Sequence, residues 1–339
     1  MKGQGFFATA ARNLESLLAE ELRDLGLANA RETRAGVRFE GQLADAYRVC
    51  LFSRVANRVL LPLAEFEAPD AEALYEAVRT IDWSAHLGPD QTLAVHADSA
   101  RSQLGHGRFI ALKIKDAIVD QCRDATGRRP DVDTHAPDIS LHCHLFRDQA
   151  TLSLDLSGDS LHKRGYRIQG AAAPLKETLA AAMLLRSGWP QIATQGGSLV
   201  DPLCGSGTLV IEAALMAIDQ APGLLRTHWG FTGWRGHDAQ AWQHLLDEAH
   251  TRAKTGLAAF QNQGIELLGC DQQTSAINAA WGNAERAGIA EQVQFRRCDL
   301  SDCQPLGEMR PGLLITNPPY GQRLGRDEDL EPLYAALGG

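Results

Sequence analysis

The sequence predicts an α/β protein whose C-terminal half is a doubly wound parallel sheet. Three observations carry this expectation. From Ala171 onward, strand-like runs alternate with helical ones. Three of those runs end in an acid: Leu199-Val200-Asp201, Ile265 to Asp271, and Val293 to Asp299. A fourth, Gly312 to Thr316, runs into the amide of Asn317-Pro318-Pro319-Tyr320. In open parallel sheets, ligands bind at the carboxyl ends of the strands, so four polar tips predict a site there.

The N-terminal half reads as smaller α/β units, and 339 residues suffice for two or three domains. Gly5–Ala11 reads as a strand. Asn13 is expected to cap a helix carrying Leu14, Leu17, Leu18, Leu22 and Leu25, with Gly26 as its stop. Val37–Gly41 follows as a strand and Leu43–Leu51 as a helix. An acidic stretch from Ala64 to Asp90 holds a helix near Ala71–Val78, with turns at Pro69-Asp70 and Gly88-Pro89. Leu93–Asp98 alternates as a strand, and a helix runs from about Gly107 to Cys122. Ile139, Leu141, Cys143 and Leu145 alternate with Ser140, His142 and His144, then Ala150, Leu152, Leu154 and Leu156 alternate again beyond Arg147-Asp148-Gln149. This predicts an antiparallel hairpin with one buried face. The same alternation sends Cys143 away from His142 and His144, which disfavours a zinc site there, and no metal is expected. In the C-terminal half, Leu175–Leu185 reads as a helix, a second follows Thr208 to about Asp219, and a third ends near Gly288.

Net charge is −9, from 33 Lys and Arg against 42 Asp and Glu, which argues against a surface uniformly built to grip nucleic acid. The charge is uneven, however. Residues 61–100 carry −7 and 171–339 carry −6, while 1–60 and 101–170 each carry +2. The seven cysteines have no CxxC spacing and read as reduced core thiols of a cytoplasmic protein. No apolar run approaches the roughly 18 residues a membrane span needs, so a membrane association is not expected.

The chemistry lies in the strand tips. Gly205-x-Gly207 lets a ligand approach the backbone at a helix N-terminus. The third glycine of a dinucleotide site is replaced by Val210, and no Gly-Lys-Ser/Thr of a P-loop is present. Asp271 at the second tip suits two ribose hydroxyls, and Asp299 at the third suits an adenine amino group. A nucleoside lacking pyrophosphate fits, and S-adenosylmethionine is the natural candidate. The Asn317 carboxamide oxygen and the Pro318 carbonyl can accept the two hydrogens of an amino group on a planar base or amide. The prolines stiffen that geometry and the Tyr320 ring can stack on the substrate. Asn317, Pro318, Pro319 and Tyr320 are therefore the candidate catalytic residues.

On these motifs the chain resembles the class I S-adenosylmethionine-dependent methyltransferases that carry an NPPY motif. Asp201-Pro202-Leu203-Cys204-Gly205-Ser206-Gly207-Thr208 resembles the form found in RNA guanine-N2 methyltransferases with a THUMP domain. Leu161-His162-Lys163-Arg164-Gly165-Tyr166-Arg167 and the helix start at Leu175–Thr178 are similar to that group's junction. Ala221–Arg226 and the Trp229, Trp234 and Trp242 insertion add a likeness to the N-terminal half of the bacterial bifunctional large-subunit (23S) rRNA methyltransferases. The resemblance implies a ferredoxin-like subdomain over 1–60, a THUMP RNA-binding domain over 61–157, and a methyltransferase domain from 158 to 339. It implies cofactor contacts from Thr178, Asp201, Pro202, Cys204, Gly205, Gly207, Thr208, Asp271 and Asp299. It further implies rRNA as partner and methylation of a guanine N2 amine. Arg108, Lys113, Lys115, Arg128, Arg129, Lys163, Arg164 and Arg167 are the candidate RNA contacts; solvated faces of a globular domain are the alternative reading of these groups.

The family's sheet continues with three more strands after NPPY, then a second methyltransferase domain, whereas this sequence ends at Leu337-Gly338-Gly339. The expectation is a methyltransferase sheet lacking its last strands, with little or no turnover by residues 1–339 alone. Two other readings stay open: an RNA-binding protein with a vestigial methyltransferase half, and an NPPY enzyme acting on DNA adenine or a protein glutamine.

Overall fold

The computed structural model describes residues 3–167, 175–304, 312–318 and 335. The chain divides into two compact units: Met1–Leu161 with Arg226–Leu245, and His162–Leu225 with Leu246–Gly339.

The first unit contains β1 (Gln4–Thr9), α1 (Glu15–Asp24), β2 (Arg31–Thr33), β3 (Gly36–Gly41), α2 (Leu43–Phe52) and β4 (Arg58–Glu67). It continues with α3 (Ala71–Arg79), β5 (Thr92–Ala100), α4 (Gly107–Thr126), β6 (Asp131–Val132), β7 (Ile139–Phe146) and β8 (Gln149–Asp155). All eight strands share one sheet, in the order β2-β3-β1-β4-β8-β7-β5-β6. Its seam is β4, which pairs antiparallel with β1 through Arg58–Leu60 and with β8 through the rest of its length. The sequence hides β4, because Pro62 and the acids Glu65 and Glu67 interrupt its apolar run. The register shifts between Pro62 and Ala64, where a missing N–H disturbs the ladder least.

Two local expectations are corrected. Asn13 does not cap α1: its φ is +68°, a left-handed turn one residue before the cap position at Leu14. The β7–β8 hairpin is antiparallel as expected, with Leu145 opposite Ala150. Arg147 and Asp148 form its turn, both at positive φ, as a two-residue hairpin turn demands. Its second face, however, is not fully solvated, since Ser140, Ser153 and Asp155 are buried beside the apolar row. Asp155 is paired with Arg58, which is how a buried carboxylate is tolerated. Cys143 lies in the core, while His142 and His144 share Asp98 on the opposite face, His142 Nε2 at 3.1 Å. Burial pushes Asp98 up, but hydrogen bonds from the two imidazoles outweigh it and hold the carboxyl below its ordinary range.

The Trp insertion joins this unit. Tyr47, Trp229, Phe231, His237 and Trp242 form an aromatic cluster with centroid separations of 4.3–5.8 Å. The Tyr47 hydroxyl lies 2.7 Å from His237 Nδ1. Arg226 stacks over Trp229 at 4.8 Å and donates to the Ser157, Asp159 and Ser160 carbonyls.

The second unit holds α5 (Glu177–Arg186), α6 (Trp189–Thr194), β9 (Ser198–Asp201) and α7 (Thr208–Ala217). Helix α8 (Ala239–Gln263) begins in the first unit and ends in the second. Then come β10 (Leu267–Asp271), α9 (Thr274–Ala287), β11 (Gln294–Arg297) and β12 (Gly312–Leu314). Every pairing in this sheet is parallel, in the order β11-β10-β9-β12. Leu199, Leu267 and Phe295 from the strands pack with Val210, Ile211 and Ala214 of α7 and Ile277, Ala280 and Ala284 of α9 in one core. Gly288, at φ +72°, ends α9 as a left-handed cap.

Candidate functional site

The strand order, rather than the chain order, builds the site. Because β12 pairs with β9 and not with β11, the polar tips run Asp299, Asp271, Asp201, Asn317 across one sheet edge. Successive strands leave β9 in opposite directions, so a topological switch point falls between β9 and β12. Asp201 and Asn317 flank it. Ile315 N–H donates to the Val200 carbonyl at 3.0 Å, holding the Thr316-Asn317-Pro318 segment beside the Asp201 tip. Asn317 and Pro318 are half-buried; Pro319 and Tyr320 lie outside the described residues.

The turn after β9 is braced from both sides. Asp201, 2% exposed, accepts from Leu203 N–H at 3.2 Å. Asp271 Oδ2 accepts from Gly205 N–H at 3.0 Å and its Oδ1 from Gln273 N–H at 2.8 Å. Each oxygen keeps a second lone pair for a ligand hydroxyl. Gly207 caps α7 at φ +81°, and a Cβ there would come within 2.8 Å of the Phe295 ring. Gly205 is also left-handed at φ +53°, but a Cβ there would meet open space. That opening over a bare backbone crest fits a ligand lying against the turn. Burial pushes the Asp201 carboxyl up to about 7; Thr316 and the Leu203 N–H oppose the shift, and the Asp271 charge adds to it.

The remaining expected cofactor residues fall around this turn. Pro202 and Cys204 are buried in it, with Cys204 N–H donating to the Cys270 carbonyl at 2.7 Å. Thr208 opens α7 and Thr178 lies in the first turn of α5; both are buried. Asp299 is exposed, two residues past the end of β11.

Among the expected RNA contacts, Arg108, Arg128, Arg129 and Lys163 are exposed, with Arg128 bound to Asp90 at 2.6 Å. Lys113 sits 5.7 Å over the Tyr75 ring and Lys115 pairs with Asp116. Arg164 and Arg167 are corrected. Arg164 is 2% exposed, with Nε 3.7 Å from Glu212, an acid buried within the apolar helix α7. The Tyr166 hydroxyl donates to the same Glu212 at 3.0 Å. Arg167 donates to Thr208 Oγ1 at 2.5 Å and to the Leu175 carbonyl at 3.0 Å, beside Glu177. These side chains lock the start of α7 instead of facing a polyanion.

Two positioning residues were missed from the sequence. Asn283, 3% exposed on α9, donates to the Ser206 carbonyl at 2.9 Å, and Arg286 holds Asn283 at 2.6 Å and the Tyr166 carbonyl at 2.7 Å. The available signal was an asparagine on the buried side of an otherwise apolar helix face, next to Ala280, Ala284 and Ala287.

Aligned carboxylates beside a glycine turn, with an Asn-Pro at the switch point, define a nucleoside-binding domain of the doubly wound class. Residues 164–339 match the RMKL-like methyltransferase domain, residues 68–155 the THUMP domain, and residues 5–60 the RlmL ferredoxin-like domain. The chain belongs to this RMKL-like methyltransferase family. It is 54% identical over 335 residues to the ribosomal RNA large subunit methyltransferase K/L of Syntrophotalea carbinolica, covering 98% of this chain and 46% of that protein. The protein of the same name in Allochromatium vinosum is 52% identical, with 98% and 45% covered. The chain thus spans about half the length of the curated relatives it matches. The crystal structure of SMU.472 complexed with SAH superposes with a TM-score of 0.84 at 32% identity, covering 100% of this chain and 86% of that one. No helix among the described residues is long and apolar enough to cross a membrane.

Proposed function

We propose that the chain binds S-adenosylmethionine at the β9–β10–β11 tips and directs its methyl group to the exocyclic N2 of a guanine in large-subunit (23S) rRNA. The adjacency of Asn317 to Asp201 across the switch point carries this reading. It sets an amine-accepting group beside the cofactor turn, although their strands are separated by more than a hundred residues. The cofactor supplies an electrophilic methyl on a sulfonium. Asp271 takes the ribose hydroxyls, Asp299 faces the adenine amino group, and Asp201 braces the turn and faces the cationic end. The Asn317 carboxamide oxygen and the Pro318 carbonyl would accept hydrogen bonds from the two amine hydrogens, directing the nitrogen lone pair toward the methyl. As the N–C bond forms the S–C bond breaks, S-adenosylhomocysteine is the leaving group, and the methylated nitrogen loses one proton to solvent. Positioning and electrostatics then do the work without a strong base.

RNA as the substrate is supported by the match to a THUMP domain and by the names of the relatives. Exposed Arg108, Arg129 and Lys163 offer phosphate contacts, and the guanine enters singly, flipped out or from a single strand. The proposed domain division follows the matches: ferredoxin-like to about 60, THUMP to about 157, and methyltransferase beyond, with the tryptophan insertion returned to the first unit.

The test is a single-turnover assay with the chain in excess over unmethylated 23S rRNA and methyl-labelled S-adenosylmethionine, so that slow transfer still registers. Label should be recovered as N2-methylguanine and vanish in Asn317→Ala, whose cofactor affinity stays near normal. Label on adenine, on DNA or on protein glutamine contradicts the substrate assignment. Cofactor binding weakened in Asn317→Ala while transfer persists contradicts the assigned roles.

A further inference from the structure

Three of the seven thiols, scattered in sequence, converge at the exit of β10 and β11. Cys270 is the penultimate residue of β10 and is buried. Asp271 lies opposite Arg297 in the parallel pairing, so Cys298 follows directly beyond it, its N–H donating to the Asp271 carbonyl at 3.3 Å. A single helical turn, Leu300–Asp302, then reverses the chain. Asp302 N–H reaches the Asp299 carbonyl at 3.0 Å and Cys303 N–H the Leu300 carbonyl at 3.2 Å. The turn returns Cys303 to its starting point, and all three sulfur atoms lie within 4.8 Å of one another.

We propose that Cys270, Cys298 and Cys303 form a binding site for a soft, thiophilic divalent cation of the zinc group. A zinc–sulfur bond of about 2.3 Å in tetrahedral geometry places thiolates about 3.8 Å apart. The observed separations therefore need a contraction of at most about 1 Å. Cys298 and Cys303 are spaced as C-x4-C, within the range of paired zinc ligands. An all-sulfur donor set selects soft cations over magnesium, calcium or manganese. Cys298 and Cys303 are half-buried, which leaves an entry path and room for water or another fourth ligand. Burial raises the Cys270 and Cys303 thiols, so a cation must displace their protons to bind, which makes its affinity rise with pH. A bound cation ties the end of β10 to the turn after β11, fixing the backbone that carries Asp271 and Asp299.

The experiment titrates Cd2+ into the reduced, metal-stripped chain and follows the ultraviolet thiolate-to-cadmium charge-transfer band. One equivalent should saturate the band, and Zn2+ should abolish it by displacement. Cys298→Ser and Cys303→Ser should each remove about a third of the amplitude and weaken binding by about tenfold or more; Cys122→Ser, in the first unit, should change neither. Differential alkylation of the unsubstituted chain gives a readout independent of variant folding: Zn2+ should protect Cys270, Cys298 and Cys303 selectively. Absence of the band, a band unchanged in both serine variants, or equal alkylation with and without Zn2+ overturns the proposal.

Discussion

At Asp201, burial sets the protonation, and this has two measurable consequences. Its pKa of about 7, against an ordinary 3.8, means the folded chain holds a proton that the unfolded chain loses. Stability from this group is therefore greatest below about pH 4 and declines as pH rises toward 7. Asp201→Asn should remove that decline in unfolding curves measured from pH 4 to 8. A cationic cofactor favours the carboxylate, so binding near pH 6.5 should release up to about one proton. Calorimetry in two buffers of different ionisation enthalpy checks this; equal heats would contradict it. Asp271→Ala removes both the proposed ribose acceptor and the Gly205 brace. At about 1.5–3 kcal/mol for a charged hydrogen bond, cofactor affinity should fall roughly 10- to 100-fold.

Among the elements, α7 shows what the sequence concealed. Its apolar run Leu209-Val210-Ile211 and Ala213-Ala214-Leu215 brackets Glu212, and a buried acid must either keep its proton, as Asp201 does, or find a buried cation. The cation is Arg164, which local sequence grouped with Lys163 and Arg167 as one basic surface patch. Neighbours in sequence cannot reveal a partner 48 positions away, whereas the lone acid in an apolar helix could have prompted the search. Arg164→Ala leaves Glu212 uncompensated and should cost about 3–5 kcal/mol in denaturant unfolding; Glu212→Gln, which keeps the shape and an acceptor, should cost less. If Arg164→Ala unfolds like the unsubstituted chain, the pair is not holding α7. Element types were otherwise readable from period and punctuation: β9, α7, β10 and α9 fall within a few residues of expectation. Missed were β4, masked by Pro62, the long helix α8, and the short β2, β6 and α6, which are too brief to show a period.

On the scale of the whole molecule, alternation of strands and helices announced the parallel sheet but not its order. The sequence supplies four polar tips in succession; only the crossover that seats β12 against β9 makes Asn317 the neighbour of Asp201. The tryptophan insertion likewise reads as part of the methyltransferase half, yet its aromatics complete the core of the first unit through Tyr47. Net charge misled because it averages acidic stretches with a small number of exposed cations. Charge reversal at Arg129 or Lys163 should weaken rRNA binding and lower the salt-dependence slope by about one each. An unchanged slope would remove that residue from the interface.

The edge formed by Asp299, Asp271, Asp201 and Asn317 is proposed to hold S-adenosylmethionine and to present its methyl to a guanine amine. The most direct measurement is the position of the label after a single turnover on unmethylated 23S rRNA. The expected product is N2-methylguanine, lost in Asn317→Ala while the cofactor still binds. Label recovered on another base, or a chain that does not bind S-adenosylmethionine, would contradict it.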